Sequence, residues 1–407
     1  MTSRIKYFVV STSACLTLML VTGSVLSKGA SSGDDTLKHI GVFSDVVAHI
    51  KSEYVEEPDM KSVTLGALNG MLEAIDPFAS YLNSDQYKEY LKTKDVKKAD
   101  IGLMLSKKFG YVGVVGALPN SPAAKAGFST GDMIESIKGI ATRDMPLAFA
   151  NMLMQGDPGS TVELSVVRVR QPEPQTVKLT RAVTALPAIE SRMLPAQIGY
   201  VNIDALSPTL VKDIAAAVNK LQKDGAQKLL VDVRNCFIGS PEDGIALANL
   251  FLTKGHITYV QGQRVARQNF DADPGKAISS LPMVVLTNRG TADGAEIMAA
   301  ALMENNRAQV VGERTYGDAA QRKAITMEDG SAIILSVAKY YSPNGKAIQD
   351  TGVTPGTQAS DTEIQVDYDD NGEPIPLTPE QLQQQQRKKV EDDPVVKKGL
   401  EVLGAKA

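Results

Sequence analysis

Three kinds of hydrophobic patterning follow one another along the chain. From Thr36 to about Lys94, apolar residues recur at helical spacing. Val42, Val46, Val47 and Ile50 form one stripe. Leu65, Leu68, Met71, Leu72 and Ile75 form a second, closed by Asp76-Pro77. From about Val96 to Thr184 the pattern changes to short alternating strands between Gly and Pro turns, with candidates at 112–115, 133–137 and 162–167. Within that stretch, Pro122 to Ala126 reads as one helical turn stopped by Gly127, and Leu147 to Met154 as a helix stopped by Gly156. From Pro187 onward strands and helices alternate. Strands are expected at 198–203, 228–233 and 282–286, and helices at 209–223, 244–252 and 292–304. That alternation implies a mostly parallel α/β layer. After Pro355-Gly356 the pattern becomes irregular, and 395–403 reads as a last short helix.

The extreme N-terminus stands apart. Arg4 and Lys6 precede an uncharged run from Tyr7 to Leu26, and twenty helical residues rise about 30 Å, one bilayer core. No A-x-A cleavage site follows. Residues 1–28 therefore read as an uncleaved signal anchor, with positive charge inside and the body facing the periplasm or cell exterior. Lys28 to Asp35, small and polar, is a linker. The resulting domain limits are 1–28 anchor, 36–95 helical region, 96–184 β-rich domain, 185–362 α/β core and 363–407 tail.

Composition removes several functions. Of 407 residues, 43 are basic and 47 acidic, a net charge of −4 that argues against nucleic-acid partners. Three histidines and two cysteines leave little for a zinc site, Cys-His catalysis or a disulfide framework, so no metal and no cofactor is expected. Cys15 sits in the apolar N-terminal run and Cys236 in the body, so no disulfide between them is expected.

Three motifs carry a resemblance. Gly66-Ala-Leu-Asn-Gly-Met-Leu-Glu-Ala-Ile-Asp-Pro77 is similar to the helical signature that opens the carboxyl-terminal processing peptidases (tail-specific proteases). Asn120-Ser-Pro-Ala-Ala-Lys-Ala-Gly127 with Gly131-Asp132 resembles the centre of a PDZ domain. Ser336-Val-Ala-Lys-Tyr-Tyr-Ser-Pro-Asn-Gly-Lys-Ala-Ile-Gln349 resembles the family's C-terminal strand signature. The three occur in the family's order between about residues 36 and 362. The resemblance implies a multidomain α+β and α/β architecture: an N-terminal helical region, a PDZ domain and a crotonase-like peptidase core. It also implies a serine-type peptidase with a Ser-Lys dyad, in which a desolvated lysine takes the serine proton and backbone amides hold the oxyanion. The N-terminal helices of such proteins suggest a homodimer.

The chemistry-bearing positions depart from that pattern. Matched to the family's Gly-Ser/Thr-Ala-Ser-Ala-Ser-Glu run, Gly290-Thr-Ala-Asp-Gly-Ala-Glu296 places Asp293 at the nucleophile. Thr315-Tyr-Gly-Asp-Ala319 places Asp318 at the base, and Arg322, beside Gln321, at the third position. The oxyanion loop reads Asp232-Val-Arg-Asn-Cys-Phe-Ile-Gly239, so Cys236, Phe237 and Ile238 replace Asn, Pro and the first Gly, with Gly239 kept. An ionised carboxylate is a poor nucleophile, an aspartate cannot act as the lysine did, and carboxylates repel an oxyanion. Ile238, β-branched, resists conformations that glycine reaches freely. No catalytic residue is therefore expected. The weaker alternatives are an aspartic pair at Asp293 and Asp318, a metal there with help from Glu296, a displaced dyad using Thr291, Ser240 or Lys323, and a Cys236 thiolate.

The PDZ loop Asp100-Ile-Gly-Leu103 and the strand that follows, with Leu103, Met104 and Leu105, are the expected peptide-binding residues. The family has Gly where Asp100 stands, and a charge there opposes a peptide carboxylate. The expected function is an extracytoplasmic pseudoprotease that binds peptide or protein C-terminal segments as scaffold or regulator, its partners an active peptidase or an envelope protein. The competing reading is an active serine-type endopeptidase working through a displaced site.

Overall fold

The computed structural model describes residues 31–93, 99–108, 110–143, 145–168, 171–360 and 392–404. The expected anchor and most of the expected tail lie outside them. Among the described residues, no helix is long and apolar enough to cross a membrane.

The chain divides at Ala67/Leu68 into two units. The first contains α1 (Ser31–Glu53) and the start of α2 (Met60–Glu73). Asp59 opens α2 by accepting the Lys61 amide at 3.0 Å and the Ser62 hydroxyl at 2.6 Å, the expected behaviour of an acidic N-terminal residue. Both helical stripes exist, but Val42 and Val46 on the first are exposed.

In the second unit, β1 (Ser80–Leu82) and α3 (Ser84–Thr93) lead into the β-rich segment. Its strands are β2 (Leu103–Lys108), β3 (Tyr111–Ala117), β4 (Met133–Ile137), β5 (Ile140–Ala141), β6 (Thr161–Arg168) and β7 (Gln171–Thr180). They form an antiparallel sheet in the order β2-β3-β4-β6-β7, with β5 on β4. Two helices close it: the single turn α4 (Pro122–Lys125) and α5 (Leu147–Met154). The alternation of β6 follows its burial, with Val162, Leu164 and Val166 turned into a core that also holds Ile101, Ile134 and Leu147. β2 is the outer strand, and among the described residues β3 is its one neighbouring strand.

Beyond it come β8 (Glu190–Leu194), β9 (Ile198–Asn202), α6 (Pro208–Lys223), β10 (Lys228–Asp232), α7 (Pro241–Asn249), β11 (His256–Gln261) and β12 (Gln268–Asp271). Then follow β13 (Met283–Thr287), α8 (Gly294–Glu304), β14 (Gln309–Gly312), β15 (Ala320–Thr326), β16 (Ala332–Tyr341), β17 (Thr357–Gln358) and α9 (Pro394–Val402). One sheet, in the order β17-β14-β13-β10-β9-β8, is parallel except for the β8–β9 pair. β13 and β10 are buried along their length, as strands covered on both faces are. The other sheet is antiparallel, in the order β1-β16-β11-β12 with β15 on β16.

One helix begins earlier than its apolar spacing suggests. The expectation was 244–252, and α7 starts at Pro241. Ser240 caps it, accepting the Asp243 amide at 3.1 Å while Asp243 accepts the Ser240 amide at 3.0 Å. Local hydrogen bonding and proline's fixed φ outweigh the apolar stripe. α7 then crosses α8 so closely that a Cβ on Gly244 would lie 2.0 Å from the Gly294 carbonyl oxygen. Gly244→Ala should therefore lower stability by ~3 kcal/mol, read as a drop in thermal midpoint; an unchanged midpoint would mean the crossing adapts freely.

α9 closes the C-terminal side. Its Val395 and Val396 pack on Leu230, Val284 and Leu286 of the parallel sheet. Asp393 caps its first turn and also accepts from Arg234 at 2.9 Å.

Candidate functional site

Three loops meet at the carboxyl ends of the parallel strands, where open α/β sheets bind ligands. The first follows β10. Asp232 accepts the Tyr200 hydroxyl at 2.9 Å, and Arg234 grips both of its oxygens at distances from 2.7 to 3.1 Å. The turn beyond is carried by Asn235 at φ 58° and Gly239 at φ 153°, the latter with Leu206 Cβ only 2.6 Å from where a side chain would start. Ile238 stays out of the left-handed region, so the strain expected there does not arise. Cys236 is buried and its carbonyl accepts the Ala292 amide at 3.0 Å. Burial, with Asp204 and Asp293 nearby, pushes its thiol far up, which removes it as a thiolate nucleophile. Phe237 turns toward the β-rich sheet: a Cβ on Gly116 of β3 would lie 2.8 Å from its ring. It clusters there with Leu118 and Ala292.

The second loop enters α8. Asp293 sits at φ 52°, ψ −121°, a conformation that costs a non-glycine residue about 1–3 kcal/mol. Surrounding bonds hold it there. Its amide donates to Glu296 at 3.1 Å. Glu296 is fully buried and also accepts the Thr315 hydroxyl, the Gly317 amide at 2.7 Å and the Asp318 amide at 2.8 Å. One carboxylate thus ties the Asp293 turn to the 315–318 loop. Burial outweighs these donors and pushes Glu296 up to about 7. Asp293 is half-buried, and its carboxyl is pushed well up by desolvation first and by Asp318 next.

The third loop carries Asp318, 8% exposed, whose carboxylate takes the Arg322 guanidinium at 2.5 Å. Burial raises Asp318, and Arg322 opposes that rise. Arg322 lies 4.3 Å above the Phe78 ring, which in turn meets Tyr316 edge-on at 5.8 Å. The neighbouring Gln321 instead reaches the Tyr340 hydroxyl at 3.3 Å. An aspartate locked in an ion pair is a poor proton acceptor, and a carboxyl group, charged or not, is a poor nucleophile toward a peptide carbonyl.

The displaced candidates are engaged or remote. Thr291 donates to the Val233 carbonyl at 2.8 Å, Ser240 donates to Asp243 at 2.8 Å, and Lys323 is exposed, one residue along the strand from Arg322 and so on the opposite face.

A cleft of about 790 Å³ runs from the β2 edge to this centre, lined by Asp100, Gly102, Leu103, Met104 and Leu105 at one end and by Phe237, Ile238, Asp318 and Arg322 at the other. α5 forms its wall through Leu147 and Met152. Ile101 faces the core instead. Asp100 bends onto its own loop and accepts the Gly102 amide at 2.8 Å; burial pushes its carboxyl up. Sequence reasoning brought Asp293, Asp318 and Arg322 to one place, but gave Glu296 only a helping part in a weaker metal alternative. The signal for more was present: an acid three residues after Asp293 is a capping spacing.

Comparisons with known proteins identify the family. Residues 197–359 match the model of peptidase family S41 and residues 113–168 that of the PDZ domain. The chain is 31% identical to the carboxy-terminal processing protease CtpA of Bacillus subtilis over 350 residues, 85% of this chain and 74% of the relative. It belongs to the carboxy-terminal processing peptidases. The carboxyl-terminal-processing protease of Synechocystis is also 31% identical, over 75% of this chain and 73% of its own length. The solved structure of a photosystem II D1 C-terminal processing protease superposes with a TM-score of 0.64 at 26% identity, covering 78% of this chain and 92% of that one. The α+β and α/β architecture, the PDZ domain and the peptidase core expected from the motifs are therefore those of this carboxy-terminal processing peptidase.

Proposed function

We propose that this member of the family binds extended segments of other proteins, C-termini among them, without hydrolysing them. The Asp318–Arg322 ion pair carries the reading. The base position assigned by the motifs holds an anion already neutralised by its neighbour, and Asp293 faces it from a strained turn. Neither group can generate a nucleophile as a desolvated lysine does for serine. The cleft that ends at this pair begins at the open edge of β2, where a peptide strand can add to the sheet.

The proposal extends to location. The charged start and apolar run of Tyr7 to Leu26 support an anchored protein outside the cytoplasm, acting on envelope proteins or beside an active peptidase.

The test is a digestion of an unstructured protein by the full chain in mild detergent, read by mass spectrometry beside Asp293→Ala and Lys323→Ala. No product from the parent is expected. Products that vanish in either variant would overturn the reading and point to a rebuilt site.

A further inference from the structure

The seat that a PDZ loop offers to a peptide carboxylate is already occupied by the chain itself. Asp100 Oδ1 accepts the Gly102 amide at 2.8 Å. The residue is pinned as well as charged: its amide donates to the Ala182 carbonyl at 3.2 Å and its carbonyl accepts the Ala182 amide at 2.9 Å. The loop has little freedom to reshape around a second anion. Gly102 holds φ +76°, with Ser121 Cβ 2.3 Å from where a side chain would begin, and its carbonyl accepts the Leu118 amide at 2.8 Å.

Nor does the cleft supply a compensating cation. Among the described residues that line it, Arg322 is the one basic side chain, and it is paired with Asp318 at 2.5 Å. A free carboxylate entering at Gly102 would lose one amide to Asp100 and meet a negative charge beside it. The remainder of the cleft places no such demand. The outer edge of β2 takes main-chain hydrogen bonds from any extended strand, and Leu103, Leu147, Met152 and Leu186 offer apolar contacts to its side chains.

We infer that the cleft recognises internal apolar segments of an extended polypeptide, entered without a chain end, in preference to free C-termini. The inference rests on the cleft being a peptide-binding site. Asp100 is its specificity residue: it fills the anion seat of the loop and turns the site from one that reads chain ends into one that reads passing strands.

The experiment uses the full chain in detergent and a short fluorescein-labelled peptide ending Leu-Val-Leu. The peptide is prepared as the free acid, as the carboxamide, and extended by Gly-Ser-Gly, and each form is titrated by fluorescence polarisation. The parent should bind the amide and the extended form at least as tightly as the acid. Asp100→Gly should reverse the order, favouring the acid by about tenfold, the value of one hydrogen bond to a charged group. Asp100→Asn keeps an acceptor for Gly102 while removing the charge, so it should shift the preference part of the way and covers the case in which glycine loosens the loop. A parent that prefers the free acid several-fold would overturn the inference and leave peptide binding standing. An unchanged preference in both variants would remove Asp100 from the role. Failure of every form to saturate would overturn the peptide-binding reading itself, and this inference with it.

Discussion

Replacing Glu296 with alanine should remove ~4 kcal/mol of stability or leave the chain unfolded. The buried carboxylate accepts from Thr315, Gly317, Asp318 and Asp293. Each buried donor left without a partner costs about 1–3 kcal/mol, against a total of about 5–15 kcal/mol for a folded domain. The same group predicts an unusual pH dependence. Its pKa is about 7 in the folded chain against an ordinary 4.5, so the folded state takes up the proton first. Stability from this group is then greatest below pH 4.5 and declines as pH rises toward 7, by ~3 kcal/mol in all. Asp293 and Asp318, also raised, push in the same direction. Urea unfolding at mildly acidic and mildly alkaline pH should show the parent gaining stability in acid, and Glu296→Gln should shrink that difference by ~3 kcal/mol. Equal pH dependence in parent and variant would mean Glu296 does not titrate in this window.

Back-substitution of the site should raise hydrolysis well above the level of the parent. The combination Asp293→Ser, Asp318→Lys and Arg322→Gln returns the nucleophile, the base and its neighbour. The turn that would present the serine is in place at φ 52°, ψ −121°. The bonds of Glu296 that hold the turn to the 315–318 loop involve backbone amides and Thr315, none of them changed by the three substitutions. Adding Phe237→Pro and Ile238→Gly opens the loop toward the family's own. Peptide cleavage, followed by product release in a fluorogenic assay, should rise at least ~100-fold above the parent, the effect of one general base, with the loop changes contributing a further ~100-fold through oxyanion contacts. No cleavage by the full combination would show that more than side chains has been lost.

How much of this was legible in the sequence varied with the range of the interaction. α4 and α5 lie where proline, glycine and apolar spacing put them, because those signals act within one or two turns. The start of α7 moved because a Ser-Pro cap outranked the apolar stripe. The antiparallel sheet went unread as a sheet, because β1 at residues 80–82 pairs with β16 at 332–334, and no local alternation encodes a partner so distant. The site followed the same rule. Motif spacing located Asp293, Asp318 and Arg322, while the four-donor grip of Glu296 depends on two loops meeting in space. Asp100 was legible as a charge out of place, but not as the resident acceptor of its own loop's amide.

The contact of Phe237 with Gly116 makes one seam out of two domains. No side chain can be added at 116 unless the aromatic ring at 237 retreats, and that ring is itself wedged against Leu118 and Ala292. The two positions therefore share a fixed volume. A bulkier residue on the strand would require a smaller one on the loop, so what position 116 can hold is set by an aromatic ring more than a hundred positions away.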